Sequence, residues 1–245
     1  MDDAAIRRLN RLNQDFYSAT ADRFDLLRRG SWPGWMPLLP YLPQKVRVLD
    51  VGCGNGRFGL FLARQRDVTY HGIDNNPRLL ERAQTILAGI EATLELRDVV
   101  ENPPDSGVYD LVALFGMLHH VPGSQRRLDL MRRLASLVAP GGLLAFACWR
   151  FYEYERFREK FVPWPDNLDR EAGDYLLDWR RGENAIRYCH YIDDAEHVGL
   201  IAASGLSQIE TYRADGETHD ANRYSILRAP TSPPSPLSEF REGEQ

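Results

Sequence analysis

Val46-Arg47-Val48-Leu49-Asp50-Val51-Gly52-Cys53-Gly54-Asn55-Gly56 is a β-branched run that ends in an acid and opens through alternate glycines into a helical pattern. Glycines at such a turn accept left-handed backbone and let N–H groups approach a ligand closely. The acid sorts the ligands. A dinucleotide presents a doubly anionic pyrophosphate, which a carboxylate beside the loop repels. A ligand with an ammonium and a sulfonium is attracted instead, and S-adenosylmethionine (SAM) carries both. The dinucleotide fingerprint is also broken, because its third glycine position holds Arg57. The stretch reads as a SAM loop, with Asp50, Gly52, Cys53, Gly54 and Gly56 as its cofactor contacts.

Working outward, Thr69-Tyr70-His71-Gly72-Ile73-Asp74 reads as a second strand ending in an acid. A ribose diol expects a bidentate acceptor there, so Asp74 and its neighbour Asn75 join the set. Thr93 to Asp98 is a third run, whose Asp98, followed by Val99, is placed to accept from an adenine amino group. Tyr109 to Phe115 is the fourth, and Gly116-Met117-Leu118-His119-His120-Val121 follows it. Phe115 and Leu118 are expected at the cofactor, and His119 and His120 at the reaction centre. Leu143 to Trp149, after Pro140-Gly141-Gly142, is the fifth. Near-continuous apolar strands alternating with helical patterns are the mark of a doubly wound parallel sheet. The ordered series resembles the class I SAM-dependent methyltransferases over residues 46–150. That resemblance implies a Rossmann-like α/β fold with a mostly parallel seven-stranded sheet and an antiparallel final strand.

Composition bounds the rest. The chain has 245 residues and three cysteines, Cys53, Cys148 and Cys189, too scattered for a disulfide framework or a CxxC metal site. A reduced, cytoplasmic setting is the expectation. No apolar run approaches the roughly twenty residues that span a membrane. The net charge of −5 argues against nonspecific adhesion to nucleic acid, and only Lys45 and Lys160 among the 30 basic residues are lysines. No HExxH motif is present and no cysteine pair supports His190 and His197, so no metal site is expected.

Three regions follow: an N-terminal helical cover (1–45), a methyltransferase domain (46–228) with an insertion at 150–187 over the active site, and a disordered Pro/Ser-rich tail (229–245). Ile6, Leu9, Leu12 and Phe16 have helical spacing, and a helix is expected from Ala4 to Arg28. Phe58, Phe61 and Leu62 mark the helix after the glycine loop, and Asn76-Pro77 starts the next. Ser124 is the expected N-cap of a helix with Leu128, Met131 and Leu134 inward and Arg126, Arg127, Arg132 and Arg133 outward. Eight aromatic residues from Phe151 to Trp179 are interleaved with charges, a composition too apolar for a linker. Asp193 to Ser204 reads as a helix, and Leu206–Tyr212 and Arg223–Arg228 as closing strands.

A narrower resemblance is carried by Tyr17, Phe24, Arg28, Trp32 and Pro33, by Gly173-Asp174-Tyr175-Leu176-Leu177-Asp178-Trp179 and by Arg187-Tyr188-Cys189-His190. With the glycine loop and His119-His120, these are similar to the eukaryotic tRNA wobble-uridine carboxymethyl methyltransferases. The resemblance implies methyl esterification of a carboxymethyl group in the tRNA anticodon region, with a small activating protein as a further partner. Tyr17 then joins the cofactor contacts. Arg28 and Arg187 hold the acid, and Trp32, Trp149, Tyr188 and His190 contact the base. A carboxylate is already ionised at neutral pH, so His119 or His120 acts as a base only if the acceptor is a hydroxyl or amine. Arg57, Cys189 and Asp178 depart from that family, which typically has lysine, an aromatic residue and proline there, and leave the nucleoside open. Two other readings stand beside it: a methyltransferase for a small-molecule acceptor, and a non-catalytic SAM-binding partner protein.

Overall fold

The computed structural model describes residues 1–26, 30–179 and 185–231. Helix α1 (Asp3–Leu26) leads through a 3-10 helix (Pro33–Tyr41) into β1 (Lys45–Val51), α2 (Arg57–Ala63), β2 (Asp67–Asp74), α3 (Pro77–Ile86), β3 (Glu91–Leu96) and β4 (Tyr109–Phe115). Then come α4 (Ser124–Ser136), β5 (Val138–Trp149), α5 (Glu155–Arg158), β6 (Phe161–Val162), β7 (Asp174–Asp178), β8 (Ile186–His190), α6 (Asp194–Ser204), β9 (Ser207–Ala214) and β10 (Asn222–Arg228). Seven strands form one sheet in the order β3-β2-β1-β4-β5-β10-β9. Its first five members are parallel, and β10 runs antiparallel between β5 and β9. This is the Rossmann-like class I methyltransferase fold that the motif order implies.

The central strands β1, β4 and β5 are apolar on both faces because both faces are covered, whereas the edge strands β3 and β9 are largely exposed or half-buried. Val48, Leu111, Ala113, Leu143 and Ala145 pack with α2, α3 and the 3-10 helix through Phe58, Phe61, Ala83, Trp35 and Leu38. Leu49, Val112, Leu114, Leu144 and Phe146 pack with α4 and α6 through Leu130, Met131, Leu134 and Leu200. Trp35 and Leu38 are fully buried here, so the 3-10 part of the expected N-terminal cover is core.

Strands β6, β7 and β8 form a separate antiparallel sheet within the expected insertion, which runs on to His190 rather than ending at Arg187. Leu176 and Tyr188 of this sheet pack with Ala5 and Leu9, so α1 and the small sheet share one cluster. Many of the aromatic residues pack on one another around Phe151, Leu177 and Cys189.

Several local expectations are corrected. Gly123 occupies the N-cap position of α4, and Ser124 is its first residue, donating from its backbone and hydroxyl to Glu171. Arg127 faces inward and is 1% exposed. It donates to Glu196 at 2.6 Å, Glu171 at 3.1 Å and the Val121 carbonyl at 2.9 Å. Strand β5 begins at Val138, with an irregularity in its pairing to β4 before Leu143. Asn76 caps α3 as its sequence implies, accepting from Leu79 N at 3.1 Å. Of the expected tail, residues 232–245 lie outside the described residues. Ala229 and Pro230 are tied to the Gly141–Gly142 turn by backbone hydrogen bonds. Among the described residues no helix is long and apolar enough to cross a membrane.

Candidate active site

A cleft opens at the carboxyl ends of β1, β2 and β4, where open α/β sheets bind ligands. The glycine loop, Asp74, Asn75, Val99 and Phe115 line it from the sheet side, and Asn10, Asn13 and Tyr17 line it from α1. Gly52, Gly54 and Gly56 all have positive φ. A Cβ on Gly52 would meet Met117 at 2.9 Å, while one on Gly54 would meet nothing within 4 Å. Gly54 therefore supplies the turn and leaves the floor of the cleft open to a ligand.

Two carboxylates border that floor. Burial pushes the Asp50 carboxyl up to about 7, against the lowering effect of the Tyr70 hydroxyl, which donates to it at 2.5 Å. A buried carboxylate in this position is held ionised by a cationic ligand. Asp74 is also raised by burial, and its oxygens accept from Gly54 N at 2.8 Å and Asn76 N at 2.9 Å. Both bonds hold the carboxylate at the mouth of the loop, where its remaining lone pairs suit a diol. An acid for an ammonium, an open glycine floor and an acceptor for a ribose match SAM group by group.

Opposite the loop, Tyr17 and His120 meet at 2.8 Å, hydroxyl to Nε2. His120 Nδ1 lies 2.9 Å from the Tyr188 carbonyl, which can only accept. Nδ1 therefore carries the proton, and Nε2 accepts from Tyr17. His119 and His120 are 5% and 7% exposed, with rings 4.1 Å apart, and His119 also packs 5.4 Å from Trp149. Trp32 lines the cleft, stacked on Trp35 at 5.5 Å with the Arg57 guanidinium 4.6 Å away. Burial lowers Arg57 to about 10.

Asp50, Gly52, Cys53, Gly54, Asp74, Asn75, Val99, Phe115, Tyr17, Trp32 and His120 thus converge on one cleft. Others lie elsewhere. Gly56 packs against Ala83 and Leu87 behind the loop, and Leu118 is buried in the sheet core. Asp98 is turned to α1: its Oδ2 accepts from Asn10 at 2.6 Å and Gln14 at 2.7 Å, and its Oδ1 accepts from Val100 N at 3.0 Å. Tyr188 is 0% exposed and donates to Asp174 at 2.7 Å, so its ring offers no stacking face. His190 is buried between Asp174 at 2.7 Å and Glu196 at 2.6 Å. Trp149 and Arg187 adjoin each other with 4.9 Å between guanidinium and ring. Arg28 lies outside the described residues.

Two groups of metal-ligating side chains also come together, His119–His120–Cys189 and Glu171–Asp174–His190. The second is filled by Ser124, Arg127 and Tyr188, and both nitrogens of His120 are engaged in the first. Asn10, Asn13, Trp35, Arg57 and Arg97 line the cleft and were not singled out as ligand contacts from sequence. The one available signal was the spacing of Asn10, Asn13 and Tyr17, which puts them on one side of α1.

Residues 48–142 match the family model of a methyltransferase domain. The chain is 28% identical over 147 residues to the tRNA (carboxymethyluridine(34)-5-O)-methyltransferase ALKBH8 of Mus musculus, covering 60% of this chain and 21% of that protein. It is 34% identical over 187 residues to the 27-O-demethylrifamycin SV methyltransferase of Amycolatopsis mediterranei, covering 74% of this chain and 63% of that one. A SAM-dependent methyltransferase of Methanosarcina mazei superposes with a TM-score of 0.66 at 18% identity, over 80% of this chain and 98% of the other. The matched region spans between 21% and 54% of the mouse and yeast tRNA (carboxymethyluridine(34)-5-O)-methyltransferases. The chain has the class I SAM-dependent methyltransferase fold and is related both to tRNA and to small-molecule methyltransferases.

Proposed function

We propose that the chain is a SAM-dependent methyltransferase that O-methylates a small-molecule acceptor. The observation that carries the reading is the Tyr17–His120 pair facing the glycine loop across the cleft. Bound SAM supplies an electrophilic methyl group on a sulfonium. Asp50 would meet its ammonium and Asp74 its ribose, with Phe115 and Val99 also lining the cleft. An acceptor hydroxyl seated against Tyr17 passes its proton to the phenolic oxygen as the Tyr17 proton moves to His120 Nε2. The resulting imidazolium keeps its Nδ1–H on the Tyr188 carbonyl. Burial of both histidines keeps water from competing, and positioning supplies much of the remaining acceleration.

Three observations support a small acceptor over RNA. Tyr188 and His190, needed as base contacts by the tRNA reading, are buried in side-chain networks. The likeness to the rifamycin-modifying relative runs over 74% of this chain at 34% identity. The net charge is −5. The second reading, esterification of a wobble carboxymethyl group, draws on the tRNA-methyltransferase relatives. Incubation with methyl-tritiated SAM and either a low-mass cell extract or total tRNA separates the two. Label in the low-mass fraction is expected; label on tRNA that mild alkali releases would replace this reading with the second.

A further inference from the structure

The two acids at the cleft are held in different ways. Asp74 accepts from the backbone of Gly54 and Asn76, bonds that no neighbouring side chain supplies. Asp50, 3% exposed at the end of β1, has a single donor among the described residues, the Tyr70 hydroxyl at 2.5 Å. Tyr70 lies on the adjacent strand β2, in register with Val48. Val48 precedes Asp50 by two residues, so ring and carboxylate share one face of the sheet.

Two glycines fix that ring. A Cβ on Gly59 of α2 would meet Tyr70 Cε2 at 2.8 Å, and one on Gly72 of β2 would meet Cε1 at 2.8 Å. Both distances are shorter than packed carbon atoms tolerate, so the two positions keep open the slot that the ring fills. A hydroxyl donated to a buried carboxylate favours its charged form. The other groups facing Asp50 do not replace that bond. Asp74 repels the charge, and Arg57, lowered by burial to about 10, attracts it only through space. Burial pushes Cys53 well above its ordinary value, so it stays a thiol.

We propose that Tyr70 is a positioning residue of the cofactor site: slotted between Gly59 and Gly72, it holds one oxygen of Asp50 and supports the carboxylate as an anion, leaving the other oxygen to the ligand's ammonium. Tyr70 acts through Asp50 alone, because it is 1% exposed and does not line the cleft. The inference rests on the reading of the cleft as a SAM site.

The test measures S-adenosylhomocysteine affinity by calorimetry at pH 6 and pH 8 for wild type and Tyr70→Phe. This ligand keeps the ammonium, and its own titration is common to both proteins, so it cancels from the ratio of their affinities. Losing the donor moves the ionisation of Asp50 upward from about 7. Tyr70→Phe is therefore expected to bind about tenfold more weakly than wild type at pH 6, and within about threefold of it at pH 8. An Asp50→Asn background removes the titration, and there Tyr70→Phe should change affinity by the same factor at both pH values. Gly59→Ala keeps the hydroxyl but crowds the ring, and is expected to give a smaller loss with the same pH dependence. A ratio equal at pH 6 and pH 8 in Tyr70→Phe, or a pH-dependent ratio that persists in the Asp50→Asn background, overturns the inference. Should circular dichroism show that Tyr70→Phe does not fold, a pH-independent loss in Gly59→Ala overturns it equally. Wild type that binds no S-adenosylhomocysteine at either pH would sink the cofactor reading, and the inference with it.

Discussion

Asp50 constrains the ligand more than any other side chain. Burial raises its carboxyl to about 7, so near neutrality the free protein holds a proton there part of the time. A cationic ligand lowers that value in the complex, and binding then releases the proton. SAM affinity is therefore predicted to rise about tenfold from pH 5.5 to pH 7, a window below the titration of the ligand's own amino group. Calorimetry in buffers of different ionisation enthalpy should detect the released proton, and Asp50→Asn should abolish both the release and the pH dependence. At Tyr17, Tyr17→Phe keeps the ring and removes the hydroxyl that bonds His120 and that the proposed function makes the proton relay. It is expected to lower kcat on the order of a hundredfold with little change in SAM affinity. An equal fall in affinity would make Tyr17 a cofactor contact instead. The place of Asp50 and Asp74 at the cleft was legible because an acid ending a strand beside a glycine loop lies at the sheet's carboxyl edge. Asn10 and Asn13 were not, because an asparagine on a helix reads as solvated surface until the partner segment is known.

Helix α1 closes the cleft through amides. Asn10 and Gln14 share Asp98, and Asn13 accepts from Tyr188 N at 2.8 Å while donating to the His120 carbonyl at 3.3 Å. Asp98 thus ties α1 to the end of β3. Asp98→Ala is predicted to speed amide exchange along the first half of α1 and weaken SAM binding by roughly tenfold. Unchanged exchange would remove the latch from the account. The small sheet is fastened to α4 and α6 by His190, which bridges Asp174 on β7 and Glu196 on α6, with Arg127 and Tyr188 alongside. Burial pulls the His190 pKa down, but its bonds to Asp174 and Glu196 outweigh this and leave it raised. A raised histidine contributes stability that is full below its unfolded value, about 6.5, and lost as pH rises through the folded one. Thermal melts should show stability falling across that range in wild type and much less in His190→Gln. This network was hidden in the sequence for a physical reason. Arg127 shares a stripe with Leu130 and Leu134, and its burial depends on Glu171 and Glu196, from distant segments, together with the Val121 carbonyl.

For the whole molecule, the central sheet was readable because five runs alternate with helical patterns, and the central ones, β1, β4 and β5, are largely buried on both faces. The cover was not: β6–β8 are short, their aromatic and charged residues alternate without a fixed period, and their pairing depends on contacts with α1. The sheet and α1 together line the cleft; that the cofactor sits at the sheet end and the acceptor at the α1 end is the division proposed above. The direct test of this division is mass-spectrometric conversion of SAM to S-adenosylhomocysteine by the purified chain with a low-mass extract, beside Asp74→Ala. The account predicts conversion that depends on the extract and is lost in Asp74→Ala. SAM that binds yet stays intact with every low-mass fraction would contradict it.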